Sequence, residues 1–159
     1  MIDTAYIQTP LGIASITGND EGVQAVSIVS DQDQNPSDTI PQSLVTAALQ
    51  LQEYFNGERT DFDLNLNPQG TEFQQKVWHQ LLKIPFGSTV TYLDIAKRLG
   101  DPKCIREAAT ANGKNLLWII IPCHRVIGSD GSLTGYAGGL WRKKWLLAHE
   151  SPVKQQSLF

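Results

Sequence analysis

Thr91-Tyr92-Leu93-Asp94-Ile95-Ala96-Lys97-Arg98-Leu99-Gly100-Asp101-Pro102-Lys103 is the stretch from which the architecture follows. Thr91 and Asp94 form a capping box, which opens a helix through Ala96 and Leu99, and Gly100 stops it. Asp101 then fits a cap and Pro102 a first-turn position, so a second helix runs to about Asn112-Gly113. Two short helices joined by a tight glycine-containing turn read either as a helix-turn-helix or as a plain αα-hairpin.

Upstream, Thr71 with Gln74 makes another capping box, and the helix it opens carries Phe73, Val77, Leu81 and Leu82 on one face. Asn67-Pro68-Gln69-Gly70 reads as a domain boundary. Before it, Ala5 to Thr9, Ile13 to Thr17 and Val23 to Val29 are β-rich runs separated by short turns, which predicts a three-stranded antiparallel meander. Residues 30–39 are a polar loop. Leu44, Ala48, Leu51 and Phe55 recur at helical spacing, and Asn56-Gly57 ends that helix. Phe62, Leu64 and Leu66 alternate with polar residues, as a short strand would. The expected class is α/β in the α+β sense: residues 1–67 a small α/β domain, 68–150 a mainly helical domain, 151–159 a tail.

Downstream, the apolar run Leu116 to Ile121 feeds Pro122-Cys123-His124-Arg125-Val126. A thiolate is the nucleophile and a thiol is not. His124 can accept a proton near neutral pH and Arg125 adds fixed positive charge, so this order of residues implies anionic sulfur at Cys123. The bland alternative is a buried structural cysteine beside a structural histidine. Gly135-Tyr136-Ala137-Gly138-Gly139 is a loop where backbone can approach a ligand closely. A last helix begins near Leu140 and is expected to turn Trp141, Trp145 and Leu146 inward.

At 159 residues the chain can bury a sizeable core. No charged segment followed by an apolar one opens it, and no apolar run approaches the ~20 residues of a membrane span. Cys104 and Cys123 make no disulfide framework, which points to a reducing cytoplasm, and no histidine or cysteine spacing suggests a metal. The net charge of −3 is uneven. Residues 1–86 carry three basic and eleven acidic residues; residues 87–150 carry nine basic and five acidic. A basic half that also holds the thiol points to a polyanionic partner.

These residues resemble a known family, the O6-alkylguanine-DNA alkyltransferases, or methylated-DNA–protein-cysteine methyltransferases. The likeness runs through Glu53-Tyr54-Phe55-x-Gly57, Gly70-Thr71-x-Phe73-Gln74, Val77-Trp78 and Ile84-Pro85-Phe86-Gly87. It continues through Thr91-Tyr92, Ala96, Pro102-Lys103, Arg106, Asn115 and Pro122-Cys123-His124-Arg125-Val126-Ile127-Gly128. It closes with Gly135-Tyr136-x-Gly138-Gly139 and Lys143-x-Trp145-Leu146-Leu147-x-x-Glu150, so it covers roughly residues 50–150. The resemblance implies a ribonuclease-H-like first domain and a single-turnover repair protein without a cofactor. Its partner is double-stranded DNA carrying O6-alkylguanine, with O4-alkylthymine as a second lesion. The damaged nucleotide flips out and its alkyl group moves irreversibly to Cys123.

Roles follow from the same likeness. Cys123 is the nucleophile, His124 takes its proton, Glu150 orients His124, and Asn115 and Lys143 support the site. Tyr92 donates to the guanine ring, and Arg106 fills the gap in the duplex, with Thr91, Ala109 and Arg125 also at the DNA. Tyr136, Ala137, Gly138, Val126 and Trp118 line the pocket. Glu107, Cys104 and Trp118 depart from the family pattern. The tail Gln155-Gln156-Ser157-Leu158-Phe159 resembles the Gln-x-x-Leu-Phe peptide that docks on the replication sliding clamp; otherwise the chain is expected to be monomeric. Two other functions share the thiol motif: a DNA-damage sensor without chemistry and a cysteine hydrolase.

Overall fold

The computed structural model describes residues 1–29 and 33–152. Part of the expected polar loop and most of the expected tail, with its clamp-like peptide, lie outside the described residues. The chain forms two compact units: Met1–Gln69 with Leu116–Ile120, and Gly70–Asn115 with the chain from Ile121.

The first unit is built on a meander of β1 (Asp3–Thr9), β2 (Gly12–Asn19) and β3 (Gly22–Ile28). The antiparallel register sets Ala5 opposite Ile16 and Ile7 opposite Ala14, and all four side chains are buried. Alternation along each strand sends them to one face. The pairing of β2 with β3 is irregular at Thr17/Gly18, and a Cβ at Gly18 would lie 2.6 Å from the Gly22 carbonyl oxygen, so glycine is required there. Helix α1 (Val45–Phe55) buries Ala47, Ala48, Leu51 and Tyr54, and Gly57 follows it at φ 80°.

The expected short strand and the apolar run after Asn115 each contribute a single bridge instead. Over residues 62–66 only Leu66 pairs, with Val23. The backbone of Asp63 is claimed by a side chain: its N–H donates to Gln50 Oε1 (2.9 Å) and its carbonyl accepts from Gln50 Nε2 (3.1 Å). Along the apolar run after Asn115 only Leu117 bridges, with Val26. The chain then turns, with the Ile120 N–H donating to the Trp118 carbonyl and Ile119 at φ 74°. That left-handed backbone is costly for a β-branched residue and ends any strand.

In the second unit, α2 (Glu72–Leu81) begins with both halves of its capping box made: Gln74 N–H to Thr71 Oγ1 (3.1 Å) and Thr71 N–H to Gln74 Oε1 (2.9 Å). Its buried stripe is Val77, Trp78 and Leu81, whereas Phe73 and Leu82 are exposed. Trp78 displaces them because its indole N–H reaches the Ala111 carbonyl (2.9 Å), which satisfies the ring's one polar group in the core. Strand β4 (Val90–Thr91) runs directly into α3 (Tyr92–Arg98), where Thr91 and Asp94 form the second capping box. Gly100 at φ 93° turns the chain, Asp101 accepts from the Lys103 N–H, and a 3-10 turn leads into α4 (Ile105–Gly113). Strand β5 (Val126–Ile127) pairs parallel with β4. The last helix, α5 (Leu140–Glu150), buries Lys143, Leu146 and Glu150, while Trp141 is exposed and Trp145 partly so, stacked on His149. The expected Trp141-Trp145-Leu146 face is therefore rotated. The two inward ions are tolerated because each is fully partnered. Among the described residues no helix is long and apolar enough to cross a membrane, and no group of three His, Cys, Asp or Glu could hold a metal ion.

Candidate active site

Pro122 has no N–H to donate, and the chain after it coils into a 3-10 turn over Cys123–Arg125 before entering β5. This turn points three consecutive side chains into the second unit: Cys123 is 5% exposed, His124 0% and Arg125 6%. Asn115 braces the approach, its Nδ2 donating to the Ile121 carbonyl at 2.8 Å.

Glu150, at the end of α5, is where the network converges. Its Oε2 lies 2.7 Å from His124 Nε2. Arg125 Nε donates to Oε1 at 2.7 Å and its terminal nitrogen to Oε2 at 3.1 Å. The other arm of Arg125 donates to the Ile84 carbonyl at 2.6 Å, and the guanidinium sits 5.8 Å from the Phe86 ring centre. Burial pushes the Glu150 carboxyl up, but the hydrogen bonds from His124 and Arg125 outweigh it and bring it down to about 2. His124 is held below its ordinary value, chiefly by burial, with Arg125 and Lys143 adding to it against the pull of Glu150. Glu150 is thus ionised and His124 neutral. An ionised carboxylate needs a donor, so the imidazole proton is on Nε2 and the Nδ1 lone pair is free. Nδ1 is buried and takes no hydrogen bond from any described residue.

Burial also drives the Cys123 thiol up to about 11, against a hydrogen bond from Asn115 and the charge of Lys143. Burial thus favours the thiol over the expected anion. The two adjacent residues that were to stabilise it are spent elsewhere: His124 is uncharged, and Arg125 is bound to Glu150. Arg125 is likewise corrected as a DNA contact, being enclosed in the protein.

Lys143 is fully buried, its Nζ donating to the carbonyls of Val126 (2.7 Å) and Thr134 (2.8 Å). It thereby ties β5 to the loop that precedes α5. Tyr92 reaches the same Thr134 carbonyl through its hydroxyl at 3.3 Å. Beside that loop is a cleft of about 560 Å3 whose walls include Tyr92, Arg106, Ala109, Asn112, Tyr136 and Ala137. Burial, before any other cause, raises the Tyr136 phenol well above its ordinary value.

Several expected pocket or DNA residues stand elsewhere. Val126 is buried in β5 with its carbonyl on Lys143, and Gly138 is buried with its carbonyl on Arg142. Thr91 caps α3. Trp118 belongs to the first unit, its N–H on the Val26 carbonyl, and is not among the residues lining the cleft. Conversely, the carbonyls of Thr134 and Ile84 hold the site together without any side-chain pattern that a sequence could display. Asn112 was legible only as a helix end.

Comparison with known proteins bears on this geometry. The DNA-binding domain of 6-O-methylguanine DNA methyltransferase matches residues 72–152, and that protein's ribonuclease-like domain matches residues 2–68. The chain belongs to this family. A methylated-DNA–protein-cysteine methyltransferase of Mycolicibacterium paratuberculosis is 44% identical over 162 residues, covering 99% of this chain and 98% of the relative. The solved O6-methylguanine methyltransferase of Mycobacterium tuberculosis superposes with a TM-score of 0.84 at 39% identity, each chain fully covered. Mycobacterium tuberculosis OGT in complex with DNA gives 0.83 at 39% identity, covering 96% of this chain and 95% of that one. Family membership accounts for the α+β architecture.

Proposed function

We propose that this protein repairs DNA by moving the alkyl group of O6-alkylguanine onto Cys123, once per molecule. The observation that carries the reading is the buried run Cys123–His124–Glu150, in which the one unpaired imidazole nitrogen is a proton acceptor. The thiol proton passes to His124 Nδ1 through a bound water. The sulfur then attacks the alkyl carbon, an S–C bond forms as the C–O6 bond breaks, and the bonding pair leaves on the purine oxygen. The purine regains a proton as neutral guanine, with Tyr92 the donor at the ring. The imidazolium formed on His124 lies against the Glu150 carboxylate, the usual nucleophile–base–orienter logic.

A base inside a duplex must leave the stack before its O6 can meet Cys123, at a cost of a few kcal/mol. Arg106, exposed on α4 at the cleft, is suited to fill the vacated position, with Ala109 giving close approach. Tyr136 and Ala137 form the loop over the alkyl group, and the Ala137 N–H faces O6. Residues 1–67 act as the ribonuclease-H-like domain and 68–150 as the domain that binds DNA and accepts the alkyl group. The protein works as a monomer in a reducing cytoplasm.

The test is Cys123→Ala on duplex bearing O6-methylguanine, with O4-methylthymine as a parallel arm. Loss of transfer with retained binding is expected; retained transfer would mean the wrong thiol was chosen. A wild-type protein that binds but never becomes alkylated would be a sensor, and repeated turnover on a small molecule would make it a hydrolase. The tail Gln155–Phe159 extends the proposal to the sliding clamp, by an extended peptide with two apolar anchors filling a groove. Equal clamp retention with and without residues 155–159 would end that idea.

A further inference from the structure

A buried histidine paired with a carboxylate has a flaw as a base. Each opposite charge favours the other, by about one to three pKa units. Unless something opposes that gain, the two settle as imidazolium and carboxylate. Both ring nitrogens then carry protons, and neither can take one from a thiol. At His124 burial is the largest opposing effect, and Arg125 adds to it. In this protein the carboxylate has a second claimant. Arg125 grips both oxygens of Glu150, at 2.7 Å to Oε1 and 3.1 Å to Oε2, and is itself fixed by the Ile84 carbonyl.

We propose that Arg125 is a positioning residue for alkyl transfer: by serving as the counter-ion of Glu150, it keeps His124 neutral, with its proton on Nε2 and its Nδ1 lone pair available to Cys123. The inference rests on His124 being the base in the proposed reaction. Charge balance in an enclosed space sets the state of the ring. The side chains of His124, Glu150 and Arg125 are 0%, 2% and 7% exposed. A guanidinium remains protonated in proteins, so Arg125 and Glu150 already balance. A second proton on His124 would put two cations against one anion where water cannot screen them.

The remaining neighbours agree. From α5, besides Glu150, the buried Lys143 adds positive charge, which also opposes a proton on His124. From its own turn His124 is flanked by Cys123, a thiol at rest, and by Arg125. The buried side chains of α2 are Val77, Trp78 and Leu81, none of them charged. Tyr136 is held neutral, chiefly by burial. Arg125 thus weakens His124 as a base and in return keeps it vacant.

Specifically 15N-histidine-labelled protein tests this without relying on activity, because ring-nitrogen shifts report both tautomer and charge at His124. In the wild type at pH 7, a neutral ring with its proton on Nε2 is expected. In Arg125→Met the ring becomes imidazolium at pH 7. Single-turnover methyl transfer from an O6-methylguanine duplex then falls about tenfold for each unit by which the pKa of His124 exceeds the pH, and recovers as pH rises. Arg125→Lys keeps the neutral ring, and adding Glu150→Gln to Arg125→Met restores it. An imidazolium in the wild type would overturn the proposal. So would Arg125→Met with a neutral ring and a rate deficit independent of pH. If Arg125→Met does not fold, the wild type and Arg125→Lys decide by the same shifts. A wild type with the expected neutral ring but no transfer would refute the repair reading and leave the role of Arg125 in setting the tautomer standing.

Discussion

At Cys123, desolvation decides the protonation state. The sulfur is 5% exposed, and neither the Asn115 hydrogen bond nor the Lys143 ammonium offsets the loss of water around an anion. A thiol displaced upward from 9.0 to about 11 stays protonated through neutral pH and ionises only in strong alkali. Ultraviolet titration of thiolate, corrected with Cys123→Ser for Cys104, is therefore expected to show no Cys123 anion at pH 7 and a step near 11. A step at or below pH 7 would contradict the account. The sequence displayed a cysteine, a histidine and a cation in order. It did not display where the cation's charge is used, because Glu150 and Ile84, which bind Arg125, lie 25 and 41 residues away.

Among the elements, those with local causes were legible and those set by distant partners were not. Both capping boxes form as read, since the interacting groups are three residues apart. Thr71→Ala removes the acceptor for the Gln74 N–H and is expected to cost about 1 kcal/mol in urea denaturation, with transfer chemistry unchanged. No loss of stability would mean that the box is ornamental. Gly70 fits beside it because a Cβ there would lie 2.5 Å from the Trp78 ring. The alternation of residues 62–66 did suit a strand, but the Gln50 amide took the backbone groups that a ladder needs. In α5, apolarity pointed to Trp141, while the inward face is set by two ions, Lys143 and Glu150, whose partners are backbone carbonyls and side chains of other segments. Periodicity cannot predict a buried ion, because burial is allowed only by those partners.

Taken as a whole molecule, the uneven charge reads differently once the site is known. Arg125, Lys143 and Glu150 are enclosed and contribute nothing to the solvated surface, so the electrostatic attraction to DNA in residues 87–150 falls to exposed groups such as Lys97, Arg98, Lys103, Arg106 and Lys114. The protein thus carries its solvated positive charge on exposed side chains, while the ions beside Cys123 are buried and partnered within the protein. Its central claim is stoichiometric transfer to one sulfur. Incubation with excess duplex carrying isotopically labelled O6-methylguanine, followed by intact mass and peptide mapping, tests this most directly. The account predicts one labelled methyl per protein, on Cys123, and one equivalent of lesion restored to guanine; an unmodified protein, or label on Cys104 instead, would contradict it.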